Sequence, residues 1–148
     1  MTGKVFFDTN ILVYAQDATV PAKRARSQEL LFASLQAGNG VISAQVLSEF
    51  FVTVTREVRS PVTPERARRE MQLLASLQTV DIDSTLVLQA VDRCRQWQVS
   101  YWDALILAAA ERGGCGTVYS EDLSDGKQYG TVTVRNPFAS KEIRGRTV

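Results

Sequence analysis

The sequence predicts an α/β domain in which helices cover both faces of a mainly parallel sheet. Short β-branched and aromatic runs alternate with long segments of helical apolar spacing, the pattern of βα units. Parallel strands need right-handed crossovers, which put helices on both faces. The 148 residues form one domain, 1–148, with no repeat, low-complexity tract or dividing linker. A chain of that length buries roughly two-thirds of its unfolded surface, so folding needs neither disulfide nor structural metal.

Val5-Phe6-Phe7 reads as a buried strand ending at Asp8, and a helix starts over Ile11–Ala15. Ala22–Ala37 is a longer helix with Leu30, Leu31 and Leu35 as its apolar stripe, stopped by Gly38. Gly40–Ser43 is the second strand, and Ser43 caps a helix running to about Thr55. Pro61 breaks the pattern. Thr63-Pro64 opens the next helix, with Pro at its first position and Met71, Leu74 and Leu77 facing inward. Thr79–Ile82 is the third strand. Ser84–Gln96 and Ser100–Arg112 are helices, the second stopped by Gly113-Gly114. Cys115–Tyr119 is the fourth strand and Thr131–Val134 the fifth, ended by Asn136-Pro137. In such folds the binding crevice lies at the carboxyl ends of the strands, near a topological switch point.

Composition removes most hydrolytic chemistries. There is no histidine, so a Ser-His-Asp triad, a Cys-His dyad and His-based zinc sites are excluded, and two cysteines cannot build an all-cysteine site. Side-chain metal ligands would be mostly oxygen, which favours Mg²⁺ or Mn²⁺. Cys94 and Cys115 read as two reduced, buried thiols. No Gly-x4-Gly-Lys-Ser/Thr occurs, and Gly113 to Gly116 ends a helix instead of opening one, so P-loop and dinucleotide fingerprints fail. A receiver-like or phosphatase-like fold needs an acid pair or Asp-x-Asp after its first strand, where this chain has Asp8-Thr9-Asn10. A net charge of +1, from 17 Lys and Arg against 16 Asp and Glu, gives no global field for nucleic acid. Asp8 interrupts the first apolar run too early for a signal peptide, and the longest run, Ala104–Ala110, is far short of a membrane span. The expectation is a cytoplasmic protein.

Four acids stand out, each with an ordinary explanation beside it. Asp8 ends the first strand and is also a helix N-cap. Glu49, in Leu47-Ser48-Glu49-Phe50, fits a solvated helix edge. Asp103, in Tyr101-Trp102-Asp103-Ala104, has Ile106, Leu107 and Ala110 on its own face, so it should be buried and want a partner or a metal. It equally completes a capping box with Ser100. Asp122, in Ser120-Glu121-Asp122-Leu123, suits a polar turn. Jointly they could converge at one sheet edge. Two carboxylates ~4 Å apart repel by roughly 4 kcal/mol at an effective dielectric near 20, so a cluster would protonate in part or recruit a divalent cation. Strand position supports Asp8 and Asp122. For Asp103, simple up-down alternation points to the far edge, and the residues alone leave its place open.

The four motifs, in order and at this spacing, resemble the PIN-domain ribonucleases, and most closely the VapC-type toxins of prokaryotic toxin–antitoxin pairs. Phe7-Asp8-Thr9-Asn10 matches the family's opening, and Tyr129-Gly130-Thr131 through Asn136-Pro137-Phe138 its closing strand. The resemblance covers nearly the whole chain. It implies a three-layer α/β/α sandwich around a five-stranded, mainly parallel sheet, with Asp8, Glu49, Asp103 and Asp122 meeting at one pole. Asn10 and Ser120 would orient Asp8 and Asp122 by hydrogen bonds. Asp125 is the candidate for a fifth acid, with Glu121 its rival.

The implied chemistry is an endoribonuclease. Mg²⁺, for which Mn²⁺ can substitute, would be held by Asp8, Asp103 and Asp122, with Glu49 directly or through water, and would activate water to attack a phosphodiester in line. Lys23-Arg24-Ala25-Arg26, Arg66-Ala67-Arg68-Arg69 and Arg93 with Arg95 are candidate grips for RNA, against an ordinary reading as solvated faces with pairs such as Glu65 to Arg69. The expected partners are RNA, with loops favoured over duplex, a second copy in a homodimer, and a small antitoxin covering the acidic site; no membrane is expected. The alternatives are a housekeeping RNA-processing nuclease of the same fold and an inactive PIN-like module that only binds RNA or protein.

Overall fold

The computed structural model describes residues 3–139. Its elements are β1 (Lys4–Phe7), α1 (Thr9–Tyr14), α2 (Pro21–Ala37), β2 (Gly40–Ser43), α3 (Ala44–Val52), a π-helical turn (Thr53–Glu57), α4 (Pro64–Leu74), β3 (Gln78–Val80), α5 (Ser84–Trp97), α6 (Tyr101–Arg112), β4 (Cys115–Tyr119), β5 (Gln128–Tyr129) and β6 (Val132–Arg135). Residues 140–148 lie outside the described part.

The sheet runs β3-β2-β1-β4-β6-β5, parallel throughout except for the antiparallel pair β5–β6. The chain thus starts at the centre, steps outward to β3, and returns to the other side of β1. Right-handed crossovers in opposite directions place α1 to α4 over one face and α5 with α6 over the other. Accordingly α1, α2, α3 and α4 pack among themselves, and α5 packs on α6. The expected three layers are present, with six strands instead of five. The added strand is the two-residue β5, joined to β6 by a tight turn in which Gly130 takes a φ of +61°. A pair so short carries no alternation that a sequence could display.

Local chemistry accounts for the boundaries. Ser43 caps α3, accepting from Val46 N–H; Thr63 caps α4 ahead of Pro64; and Gly38 ends α2 in the left-handed conformation. The helix after β2 does not continue regularly to Thr55: it gives way after Val52 to the π turn, where Val58 N–H bonds Thr53 O. The third strand is Gln78–Val80, not Thr79–Ile82, because Asp83 is drawn away to cap α5 at Leu86 N–H. Leu35 is turned outward, 50% exposed, while Ser27 and Ser34 occupy the buried face of α2. With Leu12, Leu31, Leu73 and Leu77 it lines an apolar groove between α1, α2 and α4.

The core is continuous across the sheet, from Phe6, Phe7, Val41 and Ile42 to Val118, Val132 and Val134. Ala104 to Ala110 are all buried, because α6 lies between the sheet and α5. The Arg93–Glu111 and Arg112–Asp83 pairs tie α5 to α6. Both cysteines are free; Cys115 is buried, its thiol pushed up to about 12 by burial, whereas Cys94 is only half-buried. No helix among the described residues is long and apolar enough to cross a membrane.

Close packing where α6 turns into β4 gives a test of this arrangement. A Cβ on Gly113 would lie 2.9 Å from Val41 Cγ1 and 3.3 Å from Val80 Cγ2, whereas one on Gly116 would meet nothing. Gly113→Ala is therefore expected to cost about 1–3 kcal/mol and lower the melting temperature by several degrees. Gly116→Ala should leave it nearly unchanged. Thermal melts of the two variants side by side check this.

Candidate active site

At the carboxyl edge of the sheet the chain leaves β1 and β4 in different directions, and there a cleft of about 900 Å³ opens. Asp8, Glu49, Asp103 and Asp122 all line it, each brought by a different part of the chain.

Asp8 is the innermost. Its N–H continues the ladder to Tyr119 O at 3.0 Å, so its backbone is fixed between the central strands. Its side chain caps α1, Oδ1 accepting from Thr9 N–H at 2.8 Å. Oδ2 accepts from Ser120 Oγ at 2.8 Å and from Asn10 Nδ2 at 3.4 Å. The N-cap reading therefore holds, and the same residue lines the cleft at the carboxyl end of its strand. Burial raises its pKa from 3.8 to about 6; the Ser120 and Thr9 hydrogen bonds oppose that shift, and the charges on Glu49 and Asp122 add to it.

Ser120 and Asn10 stand where they were expected, beside Asp8 and Asp122. Buried Ser120 spends its proton on Asp8 and accepts from the N–H groups of Asp122 and Leu123 at 3.2 and 3.3 Å. The amide of Asn10 spans two acids, reaching Asp122 Oδ2 at 3.1 Å as well as Asp8, while its Oδ1 accepts from Glu121 N–H. The turn bearing Asp122 is thus built on the same atoms that hold Asp8.

Glu49 sits on α3 one turn beyond Gln45. Thr9 Oγ donates to its Oε1 at 2.7 Å and Gln45 Nε2 to its Oε2 at 3.3 Å. The same Gln45 nitrogen reaches Trp102 O, linking the starts of α3 and α6. Asp103 is half-buried, not enclosed as the apolar helix suggested, because α6 begins at the cleft and only its later turns are covered. Ser100 Oγ accepts from Asp103 N–H, but no reciprocal bond from the Asp103 carboxylate completes a capping box among the described residues. Its carboxylate remains open to the cleft.

The fifth acids differ in placement. Asp125 is exposed, accepts from Asn136 N–H at 2.9 Å and does not line the cleft. Glu121 lines it, but is paired with Lys23 and accepts from Tyr14 OH at 2.7 Å. The proposed basic grips lie elsewhere. Lys23 is committed to Glu121, Arg26 to Glu29, Arg66 to Glu70 and Arg93 to Glu111, and none of the three stretches lines the cleft. The helix pair on α4 is Arg66–Glu70, not Glu65–Arg69.

Sequence reasoning missed Thr9, Gln45, Arg59 and Trp102. Gln45 had a readable signal, since it lies four residues before Glu49 on one helix face. Arg59 had none, because only the π turn carries it to the cleft wall.

Seven acids line the cleft against one base, Arg59, and no ion pair among the described residues involves Asp8, Glu49, Asp103 or Asp122. Gln45 Oε1 is buried beside them without a donor. As the side chains stand, no group of three acids among the described residues is disposed to hold a metal ion. The donor set is all-oxygen, anionic and without an ion-pair partner, the ligand chemistry that suits a hard divalent cation.

A family model described as the PIN domain matches residues 5–124. No protein among the curated sequences matches. Among solved structures, the chain is similar to a toxin–antitoxin complex from Klebsiella pneumoniae (19% identity, TM-score 0.66, 90% of this chain and 98% of that one). It is similar to VapC20 of Mycobacterium tuberculosis, described as a sarcin–ricin-loop-cleaving toxin (18%, 0.62, 80% and 90%). It is also similar to DNA-bound VapBC from Salmonella typhimurium (17%, 0.62, 92% and 99%). At these identities the likeness is one of fold.

The raised pKa of Asp8 has a thermodynamic consequence for the metal-free protein. Folded Asp8 holds its proton up to about pH 6, while the unfolded residue loses it near 4. Between those values the folded state binds more protons at Asp8, so this residue's contribution to stability is fully present below about pH 4 and is lost as pH rises through about 6. Asp8→Asn removes that loss. In chelator, the variant should gain on the wild type from pH 4 to 7, by about 3 kcal/mol at most. Urea unfolding of both proteins across that range measures it; a gap that stays constant with pH would refute the assignment.

Proposed function

The chain belongs to the PIN domain family, and from that premise we propose that it is a Mg²⁺-dependent endoribonuclease, the toxin of a toxin–antitoxin pair. The observation that carries this reading is the convergence of Asp8, Glu49, Asp103 and Asp122 on one cleft with no base bonded to them among the described residues. An inactive binding module would have no use for so much unbalanced charge.

Asp8, Asp103 and Asp122 would hold the ion, with Glu49 directly or through a water. When bound, Mg²⁺, or Mn²⁺ in its place, supplies a Lewis acid and a water of lowered pKa for in-line attack on a phosphodiester. The chain's own work is positioning. Ser120 fixes Asp8 Oδ2, Asn10 sets the separation of Asp8 and Asp122, and Thr9 with Gln45 holds Glu49 across the cleft. Because the attacking group is water and not the ribose 2′-OH, the products carry 5′-phosphate and 3′-hydroxyl ends.

The partners follow from surface chemistry. A small antitoxin would cover the acidic pole, bringing a basic side chain to the carboxylates. The apolar groove between α1, α2 and α4, with Leu73 at 73% exposure, supports such a partner by offering it area to bury. A second copy of the chain, in a homodimer, is part of the same proposal, and exposed Leu88 and Val91 on α5 offer surface for it. Of the relatives named above, one is described as a toxin–antitoxin complex and another as a toxin, which favours this context over housekeeping RNA processing.

Incubating cellular RNA with the purified, partner-free protein in Mg²⁺ or Mn²⁺, beside EDTA, tests the reading. Discrete cuts with 5′-phosphate ends are expected, absent in EDTA. Asn10→Ala should slow cleavage about 10–100-fold, as for a group that orients a ligand, and Asp103→Asn by more than that. Cyclic 2′,3′-phosphate ends, or cuts that persist in EDTA, would overturn the mechanism.

A further inference from the structure

On the nuclease reading, the cleft poses an electrostatic difficulty: its substrate is a polyanion and its lining carries seven acids. The basic stretches that could grip RNA are paired or lie off the cleft. Among the lining residues that do not hold the acids, Arg59 and Trp102 have complementary chemistry.

Trp102 is 63% exposed, unusual for a side chain whose large apolar surface is normally covered. It is nonetheless not loose. Its carbonyl is held by buried Gln45, and its ring meets Tyr101 edge-on at 5.0 Å. The indole precedes Asp103 in the chain, and the apolar Val52 and Ile106 also line the cleft. Arg59 is the single base lining the cleft, exposed and in no ion pair among the described residues. It is carried there by the π turn, Thr53–Glu57, which follows the helix of Glu49 and widens its last turn.

We propose that Trp102 stacks a nucleobase and Arg59 holds a backbone phosphate of single-stranded RNA beside the acids, so that this wall selects unpaired RNA. A base in a duplex has both faces stacked and cannot offer one to the indole, whereas a base in a loop can. The planar guanidinium matches a phosphate's oxygens in a fork. Together they supply, within the cleft, the attraction that the net charge of the protein does not. This proposal rests on the nuclease reading and deepens it.

Binding is measured in EDTA, so that no cleavage is required. The probes are a short labelled single-stranded RNA of mixed sequence, the same strand with its bases removed, and the RNA as duplex. In Trp97→Phe, where Trp102 is the remaining indole, the single strand should quench emission and the other two should not. Trp102→Ala is expected to raise the Kd for the single strand about tenfold or more, with Trp102→Phe restoring most of it, and to have no such effect on the baseless strand. Arg59→Gln should weaken the based and baseless strands alike and reduce the salt slope by about one. Wild-type affinities in Trp102→Ala and Arg59→Gln, from a protein that cuts RNA in Mg²⁺, would overturn the proposal and leave the nuclease standing. Equal weakening of both strands in Trp102→Ala would refute stacking. A wild-type protein that neither binds nor cuts any of these RNAs overturns both.

Discussion

The buried carboxylate of Asp8 is the constraint on which the pole is built. Its N–H is part of the β1–β4 ladder, so the backbone cannot rotate the side chain out to water. A carboxylate so placed must find donors locally, and it finds three: Thr9 N–H, Ser120 Oγ–H and the Asn10 amide. Each donor is thereby committed, and each organises something further. Ser120, its proton spent, accepts from the two N–H groups that shape the turn to Asp122, and Asn10 takes up Glu121 N–H while its amide spans to Asp122. The loop after β4 is set by the strand it leaves and by the acid on its neighbour.

This arrangement opposes stability, and the compensation is distributed. Like charges converge where α6 begins, and a helix N-terminus favours negative charge by about 0.3–1 kcal/mol. Asp103 lies in the first turn of α6 and gains from that field. Glu121 would add a further charge, but Lys23 neutralises it and Tyr14 bonds it, which removes its repulsion from the rest. Beneath the pole the packing is dense: α6 is buried along seven consecutive residues between sheet and α5, and Gly113 admits no further carbon. The charge-rich edge is carried by a closely packed core.

Most of the scaffold was legible because its signals are local. Ser43, Thr63, Gly38 and the Gly113 stop act within a turn of themselves, and alternation of strand and helix is visible at short range. The site was legible only as four separate acids, since convergence is a property of strand order, and order depends on contacts between distant residues. The doubt over Asp103 shows this: simple alternation sent it to the far edge, yet α6 starts at the cleft and lines it. The failures have the same origin. Lys23 was a candidate grip for RNA until the fold brought Glu121 beside it, and Leu35 belonged to the expected apolar stripe until α2 proved to bury Ser27 and Ser34 instead. A two-residue strand and a π turn leave no periodicity to read.

The sign of the cleft then decides how a polyanion can be bound there at all. With a net charge of +1, the whole molecule offers no long-range attraction, and an acid-lined cleft without its cation repels a phosphate backbone. On the nuclease reading, neutralisation and catalysis therefore depend on the same ion, and a substrate held by phosphate contacts alone would gain little. Stacking escapes the difficulty because it does not depend on charge, but it is open only to unpaired bases. On the same reading, selectivity for loops would be a consequence of the cleft's own acidity: phosphate contacts alone would hold too little, and only an unpaired base can add stacking on the exposed indole of Trp102.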